Sequence, residues 1–272
     1  MIKRITALAL SVALAAAPAF AQEEEGGGRS GSPFRLDPAL DGTLLGAAVG
    51  LNGAVFYMDE IAGLNRMDFS GGAYDASLVN GLDRFLMNPY SGSLSDVGTY
   101  LSVASLLTPA VLVLAPSDEW LTIGTMYAET VLMAYGLKEL GKLCVNRPRP
   151  YMYFEDYPQD AVDDGDWSDS FPSGHTALAF AGATFASYVF AERFPDSGLR
   201  LPVTASSYAL AFGTAALRIS SGGHFLSDVL AGAAIGSACG FFVPYLHSLG
   251  ADGAGTMTVR VAPTGALVSF AM

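Results

Sequence analysis

Apolar residues gather in six stretches, each near the length of a membrane-spanning helix, with polar breaks between them. They lie at residues 44–58, 97–115, 120–145, 175–191, 202–217 and 225–246. The stretch at 97–115 is the strongest, and the Gly-rich one at 44–58 is the weakest. Residues 59–96 are polar, and an amphipathic run near 78–86 predicts a surface or interfacial helix. Residues 151–171 read as a long solvated acidic loop, carrying Glu155, Asp156, Asp160, Asp163, Asp164, Asp166 and Asp169. Their spacing matches no calcium-binding loop. Gly232, Gly236 and Gly240 recur every fourth residue, a pattern that lets membrane helices approach closely. Residues 256–272 alternate around Pro263-Thr264-Gly265 and predict a small β-hairpin. The expected fold is all-α: a membrane-embedded helical bundle of five to six long helices, with a short C-terminal β-hairpin.

Composition agrees with a membrane bundle. The chain is 51% hydrophobic and 15% charged, against about 25% charged in ordinary soluble domains. A net charge of −12 argues against nucleic acid as a partner. Any anion site must therefore come from a local cluster of cations. Cys144 and Cys239 read as small buried hydrophobes, with neither zinc spacing nor a disulfide framework. Residues 1–21 have the form of a secretory signal: Lys3 and Arg4, an apolar run, then Ala19-Phe20-Ala21 as a small-x-small cleavage site. An uncleaved first membrane helix is the alternative. Residues 22–38 are acidic, then rich in Gly and Ser, and read as a flexible linker.

The charges that interrupt the apolar pattern are few, and a charge on an apolar helix is costly unless paired or functional. Lys142 and Arg149 end the third stretch. Ser173, Gly174 and His175 open the fourth. Arg218 ends the fifth, and His224 and Asp228 open the sixth. Antiparallel helices alternate in direction, so these four ends lie on one side of the bundle. Helix N-termini hold phosphate through unpaired N–H groups. Gly174 allows close backbone approach there, and Ser173 adds a hydroxyl. Arg149 and Arg218 can grip phosphate oxygens in bidentate fashion, and Lys142 adds a point charge. His224 and Asp228, four residues apart, share a helical face. The carboxylate can then accept the proton-bearing imidazole nitrogen and leave the other nitrogen free to attack. His175 is left as acid and base. Arg147 reads as a surface or headgroup contact, and His247 as interfacial with no chemical role.

This set resembles the type-2 phosphatidic acid phosphatase superfamily. The family pattern is Lys-x6-Arg-Pro, then Pro-Ser-Gly-His, then Ser-Arg-x5-His-x3-Asp. The chain has Lys142 to Arg149-Pro150, Pro172-Ser173-Gly174-His175, and Arg218, His224 and Asp228 at those spacings, with Leu217 in place of Ser. The resemblance covers roughly residues 95–247 and implies a metal-independent phosphatase with no cofactor. In it His224 would form a phosphohistidine, Asp228 would orient His224, and His175 would serve as acid, then base. Lys142, Arg149, Ser173, Gly174 and Arg218 would hold the phosphoryl oxygens.

The domain organisation expected is a signal peptide at 1–21, a linker at 22–40, a helical phosphatase domain at 41–250 and a tail at 251–272. With the membrane as its setting, the expected substrate is a lipid phosphate or pyrophosphate of the phosphatidate, phosphatidylglycerophosphate or isoprenyl pyrophosphate type. Rival readings are a soluble periplasmic acid phosphatase on small esters, a vanadium haloperoxidase and an inactive lipid-binding protein. A cleaved signal followed by six crossings would put the site inside. Five crossings, with 44–58 not spanning, would put it outside. Arg193 and Arg200 at the opposite end favour the outward arrangement, with Arg147 and Arg149 offsetting that count. The location expected is a bacterial inner membrane with the site facing the periplasm.

Overall fold

The computed structural model describes residues 31–64, 67–69, 71–251, 256–262 and 265–271. The expected signal peptide and residues 22–30 of the linker lie outside the described residues. All six apolar stretches are helical. Helix α1 runs Pro38–Phe56 and continues as a π-helical turn, Tyr57–Ile61. A short α2, Gly81–Phe85, precedes α3, Gly92–Leu106, which is extended by a 3-10 segment, Thr108–Leu114. Helix α4 is Trp120–Cys144 and the short α5 is Gln159–Asp163. The remaining long helices are α6, Gly174–Arg193, α7, Arg200–Ser220, and α8, Leu226–Ala251. The tail forms the expected hairpin. Strand β1, Thr256–Ala262, pairs antiparallel with β2, Gly265–Ala271, from Thr256 opposite Ala271 to Ala262 opposite Gly265.

Among the described residues, three helical stretches are long and apolar enough to cross a membrane: Pro38–Ile61, Gly92–Leu114 and Leu226–Leu249. These mark a membrane protein. The first differs from expectation, since the weak stretch at 44–58 is part of a 24-residue helix. It starts inside the expected linker because Asp37 caps it. The Asp37 carboxylate accepts from the N–H groups of Ala39 and Leu40, and Pro38 occupies the first turn, where no N–H is needed.

Helix α6 is the centre of the bundle, packed by α8, α7, α3 and α4. Its small residues make this possible. A methyl group at Gly232, Gly236 or Gly240 of α8 would run into the carbonyl oxygen of Ser173, Ala177 or Ala181 on α6. The glycine stripe is thus a register of backbone-to-backbone contact. On another side, Gly182 of α6 lets Ser105 of α3 approach. There, Ser102 and Ser105 hydroxyls donate to the carbonyls of His175 and Ala179 at 3.0 and 2.8 Å. Away from the expected site, Ile123, Met126, Phe185, Val189, Phe190 and Val243 form the largest apolar core.

The segment at 151–171 is more ordered than a solvated loop. It carries a 3-10 turn, Pro150–Tyr153, then α5, then a second 3-10 turn, Asp166–Ser168. Trp167 is buried with Tyr151 and Met152, and Phe69, Tyr74, Tyr153 and Tyr157 pack around them. Two sequence readings are overturned by burial. His247, expected at the interface, is fully buried, and Cys144, expected in the core, is exposed.

Candidate active site

The ends of α4, α6, α7 and α8 meet, as the alternation of helix direction requires. The start of α6 is tied to α8 through the backbone, where Ser173 N–H donates to the Asp228 carbonyl at 3.0 Å. The Ser173 hydroxyl pairs with Thr176 at 2.9 Å. Just before α8, Gly222 takes a positive φ of 71° against the carbonyls of Asn88 and Pro89, a conformation that glycine adopts without strain. This turn delivers His224, which is 2% exposed.

The two nitrogens of His224 have different partners. Nδ1 lies 2.7 Å from the Ser170 carbonyl oxygen. A carbonyl can only accept, so Nδ1 carries the proton and Nε2 presents its lone pair. Nε2 lies 3.3 Å from Nη1 of Arg149. Asp228 does not take the role expected of it. Its Oδ2 is 3.9 Å from Nδ1. The same oxygen accepts from the Ser170 hydroxyl at 2.5 Å and from the Phe225 N–H at 2.8 Å. Asp228 therefore holds Ser170, and Ser170 holds the imidazole.

Arg149 is buried and fully engaged on one side. Its Nε and Nη2 donate to the carbonyl and carboxylate of Asp166, both at 2.7 Å, and Nη1 donates to the Gly223 carbonyl at 3.2 Å. Burial opposes ionisation of Asp166, but Arg149 and then Lys142 outweigh it and hold the carboxyl below its usual range. Arg218 donates to the Ser95 hydroxyl at 3.0 Å, while its buried Nε has no partner among the described residues. A buried guanidinium N–H without an acceptor is costly, and an anion would satisfy it. His175 Nε2 lies 3.3 Å from the Thr99 hydroxyl, and Arg218, Arg149, Lys138 and Lys142 all lie within electrostatic reach of it. Lys142 is 3.4 Å from Glu139. Gly174 does something more specific than open a helix: a methyl there would meet the Lys138 side chain at 2.8 Å. Burial, and then the charges of Arg149, Arg218 and His175, push His224 well below its ordinary pKa. The imidazole is thus kept neutral.

Four participants were missed from sequence. Arg147 is no surface contact. Its Nη1 donates to Asp228 at 2.6 Å and to the Ser227 hydroxyl at 2.7 Å, its Nη2 donates to Asp83 at 2.7 Å, and its guanidinium stacks on Phe225 at 4.0 Å. Asp83 also accepts from Ser227 N–H and hydroxyl, at 2.9 and 2.7 Å. Burial works against its charge, yet the Arg147 and Ser227 bonds lower its pKa to about 2. Lys138 is buried, paired with Glu139 and seated 4.0 Å over the Tyr135 ring. Ser170 is the fourth. The Arg147-Pro148-Arg149-Pro150 repeat was the one sequence signal that could have drawn attention to Arg147. Nothing local marks Asp83 or Ser170.

Residues 123–250 match the model of the PAP2 superfamily. A lipid A 1-phosphatase of Porphyromonas gingivalis is 36% identical over 101 residues, which are 37% of this chain and 18% of that protein. The chain thus spans under a fifth of that relative. Among solved structures, Aquifex aeolicus LpxE aligns with a TM-score of 0.42 at 26% identity, over 65% of this chain and 98% of that one. A Bacillus subtilis phosphatidylglycerolphosphate phosphatase aligns with a TM-score of 0.41 at 18% identity, over 76% of this chain and 94% of that one.

Proposed function

We propose, for a chain that belongs to the PAP2 superfamily through residues 123–250, that it is a membrane phosphatase cleaving a lipid phosphate or pyrophosphate through a phosphohistidine on His224. The observation that carries this reading is the tautomer of His224. With Nδ1 donating to Ser170, Nε2 presents its lone pair 3.3 Å from the buried Arg149 guanidinium and within electrostatic reach of Arg218.

In the proposed reaction Nε2 attacks phosphorus in line, the P–N bond forms and the P–O bond to the alcohol breaks. His175 gives its proton to the leaving oxygen. It then takes a proton from water, whose oxygen attacks phosphorus and breaks the P–N bond. Arg149, Arg218, Lys142 and Lys138 balance the charge on the phosphoryl oxygens, and positioning and electrostatics supply most of the catalysis. Ser173 and Gly174 let this cradle close: Ser173 by fixing α6 on α8, Gly174 by admitting Lys138. Asp228 acts through Ser170, and its nearby negative charge favours the imidazolium-like phosphohistidine. Neither step uses a metal or cofactor.

A lipid substrate is supported by the surface beside the site. Asp83 docks α2 onto the start of α8, while Leu78 and Phe85 are each 84% exposed and Leu82 is 60% exposed. An apolar edge next to a phosphate cradle suits a headgroup that keeps its chain in the bilayer. For sidedness we propose a bacterial inner membrane with the phosphate end toward the periplasm, which with an exported N-terminus requires that α1, although long enough to span, does not cross. Arg147 and Arg149 are spent on internal carboxylates. At the other end, Arg193 is likewise paired with buried Glu119 at 2.8 Å, and Arg200 is the basic residue at the exposed α6–α7 turn, as on the cytoplasmic side.

The test is a phosphate-release screen in detergent across phosphatidate, phosphatidylglycerophosphate, isoprenyl pyrophosphate, a lipid bearing a sugar-linked phosphate, and small water-soluble esters, with His224→Ala as control. Release from a lipid member, lost in the control and inhibited competitively by vanadate, supports the reading. Equal release by wild type and control refutes the nucleophile. Turnover of small esters alone would make it an acid phosphatase, and bromination with vanadate and peroxide would make it a haloperoxidase.

A further inference from the structure

Far from the phosphate cradle, three buried titratable side chains meet inside the bundle. Asp41 comes from the first turn of α1, Glu129 from the N-terminal half of α4 and His247 from the last turns of α8. Their exposures are 2%, 1% and 0%. His247 lies nineteen residues beyond Asp228 on the same helix, roughly 28 Å along its axis. The cluster is therefore separate from the candidate active site.

Its polar atoms satisfy one another only in part. Nδ1 of His247 lies 2.9 Å from the Val243 carbonyl oxygen, which can only accept, so Nδ1 carries a proton. Nε2 then points at Asp41 Oδ1, 2.9 Å away, and Glu129 Oε2, 3.4 Å away. In the neutral ring this is a lone pair facing two carboxylate oxygens, which repels. Asp41 Oδ2 and both oxygens of Glu129 are buried without a hydrogen-bond partner among the described residues. Even a fully protonated imidazole offers one N–H here, and a proton shared between Glu129 and Asp41 adds one more, against four carboxyl oxygens. Buried charges persist when they are paired or bind a metal.

We propose that Asp41, Glu129 and His247 bind one divalent transition-metal ion of the zinc type, which ties α1, α4 and α8 together at the end of the bundle opposite the phosphate site. One ligand atom from each residue lies within 4.8 Å of the others. The Nε2 separations of 2.9 and 3.4 Å match the edges of a coordination polyhedron whose ligands sit about 2.0–2.2 Å from the ion. The Nδ1–H bond to a backbone carbonyl is the outer contact that metal-bound histidines generally make, fixing the tautomer that presents Nε2. One imidazole and two carboxylates select a first-row ion over calcium or magnesium, which prefer all-oxygen sites. The role is structural: three elements distant in sequence converge on one ion in an apolar interior. This goes beyond the phosphatase reading and does not depend on it.

The experiment measures metal content and thermal stability of the detergent-purified chain carrying an affinity tag without histidines. Wild type should retain about one equivalent of zinc or a neighbouring first-row metal per chain after dialysis against metal-free buffer. Chelation should lower the melting midpoint by about 5 °C or more, and zinc or manganese should restore it, whereas magnesium should not. Asp41→Asn and Glu129→Gln should each reduce retained metal at least about tenfold, as loss of a ligand predicts, and abolish the zinc response. Should both variants fail to fold, chelation and re-addition on wild type decides. Wild type without bound metal and without stabilisation by added zinc or manganese would overturn the proposal and leave a cluster held by shared protons. An equal zinc response in the variants would overturn it as well.

Discussion

The imidazole of His224 is held by Ser170: Nδ1 and the Ser170 carbonyl oxygen are 2.7 Å apart, while the Asp228 carboxylate stands 3.9 Å from the same nitrogen. Orientation and charge are therefore supplied by different groups. The carbonyl fixes the tautomer, and Asp228 acts by gripping the Ser170 hydroxyl and by its field. From this follows a ranking. His224→Ala should lower kcat by about 10⁴-fold or more, since nucleophile and acid act as a unit. His175→Ala should come close to it. Asp228→Asn should cost distinctly less, because the carbonyl of Ser170 still selects the tautomer. Phosphate-release rates on one substrate check the order, and an Asp228→Asn loss equal to that of His224→Ala would contradict it.

Arg147 joins two carboxylates that are each buried, Asp83 at 2.7 Å and Asp228 at 2.6 Å. Truncation to Ala leaves both unpaired, a defect worth about 3–5 kcal/mol where a buried pair is broken. Arg147→Ala should thus depress both the melting midpoint and kcat. Arg147→Lys should rescue little, because one ammonium cannot span two carboxylates as a fork does. Asp83→Asn should be milder than Arg147→Ala, since Asp228 keeps its partner. Thermal melts paired with kinetics for the three variants check this. Wild-type stability in Arg147→Ala would show the bridge to be incidental.

What the chain revealed in advance, and what it hid, divides along sequence distance. The six helices were legible because each stretch is predominantly apolar over a helix-spanning length, with polar breaks between them. The positions of Lys142, Arg149, His175, Arg218 and His224 were legible because helix alternation places those ends together. Contacts made by residues far apart were not. Arg147 meets Asp83 across 64 positions and Asp228 across 81, and no local pattern announces either. Asp166 was one of seven acids in a stretch that reads as solvated, yet it is the one that grips Arg149. His247 looked interfacial from its place near a helix end. Only packing brings Asp41, 206 positions away, against it.

The lowered pKa of His224 carries a sign that can be measured. Burial, Arg149, Arg218 and His175 disfavour the imidazolium in the folded chain, so the unfolded chain takes up that proton more readily, with its pKa near 6.5. The stabilising contribution is present above about pH 6.5 and is lost as pH falls toward the folded value. For catalysis the neutral nucleophile persists on the acid side. The acid limb of kcat/KM, corrected for ionisation of the substrate, should lie below pH 6.5. A limb at or above that value that persists when the other titratable groups are varied and His224 is kept would show the imidazole to be readily protonated.

Packing of α8 on α6 gives a test of the bundle itself. A methyl at Gly236 would meet the Ala177 carbonyl oxygen, with backbone on both sides and no flexible side chain to yield. Gly236→Ala should therefore force the helices apart and lose several kcal/mol, as overpacking of rigid contacts does. Gly46→Ala, where a methyl meets nothing within 4 Å, should be neutral or slightly stabilising because Ala favours helix by about 1 kcal/mol. Melting curves of the two variants in the same detergent decide the matter, and equal midpoints would refute the close α6–α8 approach.

Sidedness can be read from the two cysteines. Cys144 is exposed at the end of α4, two residues from Lys142, and Cys239 is buried. A membrane-impermeant maleimide added to intact spheroplasts therefore reports the phosphate end of the bundle, with Cys144→Ser as the blank. Labelling before permeabilisation is the expected outcome and puts the cradle in the periplasm. Labelling only after permeabilisation would reverse the orientation: with α1 long enough to span, an external start and six crossings would leave the cradle in the cytoplasm. The basic residues Arg193 and Arg200 would then lie outside, against the usual bias of loop charge.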